Sequence, residues 1–81
     1  MSSLKEYIHK NLAQKILEYR LELGLTQEQF AAELYKNPKF IGHLERNERR
    51  MSLDSIIELM EYLKIQPYEL FLFKEPFKWE E

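Results

Sequence analysis

Glycine occurs only twice in the chain, at Gly24 and Gly42, and β-branched residues are few, while Leu, Glu, Lys and Gln dominate. That balance favours helix almost everywhere. The fold class it predicts is all-α, a compact bundle of five short helices joined by tight connections. At 81 residues the chain is at most one domain, near the size where one core is only marginally sufficient and a second copy often helps. There is no cysteine, which excludes disulfides, a thiolate nucleophile and cysteine-based zinc or iron-sulfur sites. His9 and His43 are too far apart in the chain to suggest a metal cluster, so neither metal nor cofactor is expected. No apolar run approaches the roughly 20 residues needed to span a bilayer. The opening "MSSLKEYIHK" also lacks the apolar core of a signal peptide, so the expected location is cytoplasmic with no membrane partner.

Capping signals divide the chain. Ser3 with Glu6 starts the first helix, along which Leu4, Ile8, Leu12, Ile16 and Leu23 hold a rough apolar stripe, and Gly24 stops it. Asn11 with Gln14 is a second capping signal, which leaves open a short separate helix over residues 4–10. Thr26 with Gln29 starts a second helix reaching Leu34, with Phe30, Ala31 and Leu34 facing inward. Asn37 and Pro38 fit the start of a third helix, because the asparagine side chain can accept from a free amide and proline at the first position loses no hydrogen bond. After the polar link "RNERRM", Ser52 caps a fourth helix with an apolar stripe of Leu53, Ile56, Ile57, Met60 and Leu63. Pro67 opens a fifth.

The third helix has two unlike faces. Phe40, Ile41 and Leu44 fall on one side, and Lys39, Gly42, His43 and Arg46 on the other. The chain as a whole carries a net charge of −2. Between Lys36 and Arg50, however, the cations Lys36, Lys39, Arg46, Arg49 and Arg50 outnumber Glu45 and Glu48. Two short helices joined by a brief turn, the second with a basic polar face, match the helix-turn-helix unit that lays one helix in the DNA major groove. The segments "LGLTQEQFAAEL", "FIGHLERNERR" and "MSLDSIIELMEYLKIQPYELF" resemble the lambda-repressor-like, Cro-type helix-turn-helix family over about residues 12–71, leaving 72–81 as an aromatic tail of the single domain 1–81. The run "ERNERRMSLDSI" is similar to the small controller proteins of restriction-modification systems within that family.

The resemblance implies a sequence-specific regulator of transcription that binds double-stranded DNA, a repressor or controller protein. It implies an ion pair of Arg20 with Glu45 bracing the fold, and base contacts from Pro38, Lys39, Gly42 and His43. Lys39 and His43, four apart, also point the same way on geometric grounds. Phosphate contacts are expected from the helix starts at Gln27 and Asn37 and from Lys36, Arg46, Asn47, Arg49 and Arg50. Glu58, Glu61, Glu69, Glu80 and Glu81 are expected away from the DNA. The sequence departs from the family in the turn, where Tyr35 replaces a glycine and Lys36 a small apolar residue. Tyr35 can still adopt the left-handed conformation at about 1 to 2 kcal/mol, offset in part if its ring packs, although the turn is then not expected to keep quite the usual geometry. Gly42, costly inside a helix by about 1 kcal/mol, suggests close approach of the backbone to something, such as a sugar or phosphate.

The tail "ELFLFKEPFKWEE" carries more large apolar side chains than one short helix can hide. One solution is a symmetric homodimer through Phe71, Phe73, Phe77 and Trp79, binding a pseudo-palindromic operator with half-sites about 34 Å apart. The other is a tail folded back over the first helix. No catalytic constellation or phosphate-binding loop is spaced in the chain, so neither an enzyme nor a small-molecule substrate is expected. The rival class is a protein-binding helix-turn-helix module, such as an antitoxin acting through the tail.

Overall fold

A computed structural model describes residues 3–79. Glu80 and Glu81 lie outside the described residues. The elements are α1 (Leu4–Glu22), α2 (Gln27–Glu33), α3 (Pro38–Glu45), α4 (Leu53–Leu63) and α5 (Pro67–Leu70). No strand occurs among the described residues.

Each of the first four helices starts where a side chain can serve a free amide. The Ser3 oxygen accepts from Glu6 N–H, Asn37 Oδ1 from Lys39 N–H, and Ser52 Oγ from Ser55 N–H. Thr26 and Gln29 exchange both bonds of a capping box. The second signal in α1 is not used. Asn11 donates its side-chain amide to the Tyr7 carbonyl one turn back, at 2.7 Å, and the helix runs through unbroken.

The first three helices end alike. Gly24, Tyr35 and Asn47 take φ of +69°, +56° and +59° just past the last turn. Leu25, Lys36 and Glu48 then donate backward to Arg20, Ala31 and His43 carbonyls at 3.2, 2.8 and 2.8 Å. This is the paired closure that a left-handed residue permits. The turn between α2 and α3 therefore keeps the geometry of the glycine-closed end of α1, although a tyrosine occupies it. The Tyr35 ring does not pack: the residue is 96% exposed, and nothing offsets its backbone strain.

α2 and α3 pack on one another, and α1 packs against α3. Their inward residues Leu12, Ile16, Phe30, Ala31, Ile41 and Leu44 form one core with Ile56, Leu59 and Leu70. Four apolar expectations fail. Leu4, at the first position of α1, is exposed. Leu23 caps the C-terminal end of α1 and is also exposed. On α4, Leu53 and Ile57 are also exposed, while Leu59, absent from the expected stripe, is 1% exposed. The helix is turned so that Ile56 and Leu59 meet the core, which leaves Leu53 and Ile57, four apart, on the adjoining face.

Beyond α5 the chain folds back over α1. Phe73 and Phe77 stack edge-on against Tyr7, with ring centroids 5.6 and 5.2 Å away. The Tyr7 hydroxyl donates to the Glu75 carbonyl, and Lys74 pairs with Glu18 at 3.3 Å. Lys15 reaches the Glu69 carbonyl at 3.0 Å, tying the same helix to α5.

Candidate nucleic-acid interface

The outward face of α3 is held by a polar brace at one end of the helix. Arg20 Nε donates to Glu45 Oε2 at 2.6 Å and Arg20 Nη2 to Glu45 Oε1 at 3.1 Å, a two-point pairing between α1 and α3. The side chains are only 13% and 5% exposed. Arg20 Nη1 also donates to the Leu25 carbonyl at 2.9 Å, and Gln27 Nε2 to Glu45 Oε1 at 2.9 Å. One carboxylate thus fixes the end of α1, the start of α2 and the end of α3. Gln27, expected at a phosphate, is a member of this brace through its side-chain amide. Sequence reading missed that role, because the bond joins residues 18 positions apart.

The outward side of α3 bounds an open depression lined by Gln27, Glu28, Pro38, Lys39, Gly42, His43 and Arg46. All four residues expected to touch bases line it. Pro38 and Lys39 are exposed, and His43 is half-buried. Gly42 is buried, which corrects its placement as an open outward position. Within the chain Arg46 approaches its backbone: a Cβ at Gly42 would lie 3.1 Å from Arg46 Nη1 and 3.4 Å from Gln27 Oε1. The glycine makes room for a guanidinium.

Glu48, to which no role was given in the sequence, gathers two of these groups. Its Oε1 lies 2.8 Å from His43 Nδ1 and 3.0 Å from Arg46 Nε. The His43 ring N–H and then the Arg46 guanidinium hold the Glu48 carboxyl below the usual carboxylate range.

The remaining cations differ in freedom. Lys36 hydrogen-bonds Ser55 Oγ at 3.4 Å and pairs with Glu58 at 3.6 Å, both on α4. Its ammonium lies 6.0 Å from the Phe40 ring centroid, and the Arg49 guanidinium is 5.4 Å from the same ring. Asn37 spends its side-chain oxygen on the Lys39 amide. Asn47 and Arg50 are exposed in the link after α3. Of the four tail aromatics expected at an interface between copies, Phe73 and Phe77 are half-buried on α1 of the same chain, while Phe71 and Trp79 are exposed. Leu53, Ile57, Tyr68 and Leu72 are further exposed apolar side chains that the sequence reading did not single out for such a role.

The helix-turn-helix family profile matches residues 16–70. No curated protein matches the chain. Among solved structures, the restriction-modification controller protein C.AhdI from Aeromonas hydrophila is 35% identical, over 76% of this chain and 94% of that one, with a TM-score of 0.68. The wild-type controller protein C.Esp1396I is 27% identical over 86% of each chain, with a TM-score of 0.70. The same controller protein, solved as a tetramer on its natural 35 base-pair operator, is similar at 27% identity over 86% of this chain and 88% of that one, with a TM-score of 0.70. With the profile covering both helices, the turn and the brace described above, the chain belongs to the lambda-repressor-like helix-turn-helix family.

Proposed function

We propose that this chain is a sequence-specific regulator of transcription that binds double-stranded DNA as a homodimer, reading the major groove with α3. The observation that carries this reading is the depression along α3. Lys39, His43 and Arg46 border it on a helix whose far end is locked to two others by Arg20 and Glu45. Side chains on so fixed a rod meet base edges without first having to be ordered. Lys39 and His43 contact bases, with Pro38 offering apolar contact alone. Arg49, Arg50, Asn47 and the first amides of α2 engage phosphates.

Net negative charge does not oppose this, because exposed charges are screened within about 10 Å at ordinary salt. No helix among the described residues is long and apolar enough to cross a membrane, and the protein acts in the cytoplasm as a DNA-binding regulator. Selection of bound duplexes from a random pool tests the proposal. A two-fold-symmetric consensus is expected, and failure to enrich any sequence would refute it.

The dimer is expected to use exposed apolar side chains, Phe71 among them, because Phe73 and Phe77 are already engaged on α1. Sedimentation of Phe71→Glu should show a shift toward monomer relative to the unaltered chain. Equal, concentration-independent monomers in both would remove the dimer from the proposal. The same intramolecular stacking disfavours a protein-binding module acting through the tail, since two of its rings are not free to meet a partner.

A further inference from the structure

Arg46 closes α3 one turn after Gly42, and its side chain runs back toward the helix start, as helical side chains do. Both terminal nitrogens lie over the bare Cα of Gly42, where a Cβ would be 3.1 Å from Nη1 and 3.7 Å from Nη2. Nε is taken by Glu48 at 3.0 Å. The backbone of Glu48 is itself fixed: Asn47, at φ +59°, turns the chain back so that the Glu48 N–H donates to the His43 carbonyl at 2.8 Å. The guanidinium is therefore held by one edge, with its two Nη groups beside the depression that Lys39 and His43 border.

The carboxylate also decides what this guanidinium can meet. A phosphate arriving at Arg46 would stand next to Glu48, like charge against like, whereas the O6 and N7 edge of guanine is neutral and accepts two parallel N–H bonds. Glu48 acts on His43 in the same way. An ionised carboxylate only accepts, so His43 Nδ1 carries the hydrogen and Nε2 is the nitrogen left to meet a base.

We propose that Arg46 is a guanine-reading residue of α3, and that Glu48 and Gly42 are positioning residues that fix its guanidinium for that contact. The proposal rests on the DNA-binding reading above, and it replaces the phosphate role expected for Arg46.

The test selects duplexes from a random-sequence pool with the unaltered chain and with Arg46→Lys, Glu48→Ala, Glu48→Gln and Gly42→Ala. Each chain is then titrated with the unaltered chain's consensus, with its single-base variants and with random duplex. The consensus is expected to hold a guanine at one fixed position per half-site, whose replacement weakens the unaltered chain about tenfold. Arg46→Lys and Gly42→Ala should lose preference at that position alone, whereas Glu48→Ala should lose it there and at the base that His43 meets. Glu48→Gln, whose amide oxygen still accepts from Nε, should keep most of it. Glu48→Ala should bind random duplex at least as tightly as the unaltered chain, a gain that unfolding cannot produce. Gly42→Ala supplies a better helix former and should keep full helical signal while losing the preference. If these variants select an unchanged consensus, or Glu48→Ala gains equally on specific and random duplex, the assignment is wrong and the DNA-binding reading stands. An unaltered chain that enriches no sequence overturns both.

Discussion

Tyr35 concentrates an unrelieved local cost. Its backbone closes α2 in the left-handed region, and its ring lies in solvent, 96% exposed, so no packing offsets the strain. Tyr35→Gly is therefore expected to stabilise the protein by about 1 kcal/mol, the strain relieved outweighing the greater freedom of glycine in the unfolded chain. Urea denaturation followed by circular dichroism measures this, and a loss of stability would mean that the ring makes a contact in solution. Gly42 presents the opposite case. In the sequence its cost signalled close approach of some group, but the identity of that group depends on the path of Arg46 and on Glu48 beyond the helix end, which no pattern within α3 contains.

At the level of the elements, the Arg20–Glu45 pair is the one polar contact whose loss should be felt throughout the fold. Because both side chains are largely covered, removing either partner leaves an uncompensated charge, at a cost of about 3 to 5 kcal/mol. Arg20→Ala and Glu45→Ala should each approach that loss, and the double variant should be far less destabilised than their sum. Additive effects in thermal or urea unfolding would show that the two residues act separately. Helix starts could be read in the sequence because a cap and its partner lie within three residues, as with Thr26 and Gln29 or Asn37 and Lys39. The buried face of α4 could not be read so well. Its apolar residues cover more than one side, and the neighbouring helices choose Ile56 and Leu59 over Leu53 and Ile57. The contact of Lys36 with α4 is hidden for a similar reason, since Glu58 approaches it from an element more than 20 residues later.

For the whole molecule on DNA, affinity should fall steeply with salt, as counterions displaced by each phosphate contact return. Arg49→Ala is expected to weaken binding about equally on selected and random duplex and to lower the salt slope by about one, whereas Lys39→Ala should weaken the selected site preferentially. Equal losses on both duplexes for both variants, in titrations over a range of salt, would abolish that division of labour. The tail gives the molecule a separate reporter. The sole tryptophan, Trp79, lies edge-on to Phe77 at 4.8 Å, and Phe77 is seated on Tyr7 near the start of α1, outside the family-matched residues. Intrinsic fluorescence should consequently sense the joining of the two chain ends, while ellipticity senses the helices. Because Trp79 is exposed yet held on Phe77, Tyr7→Ala is expected to lower the anisotropy of its emission at temperatures where the helical signal is still intact, so that an anisotropy melt of this protein at 295 nm excitation would time the release of its clasp ahead of the collapse of its core.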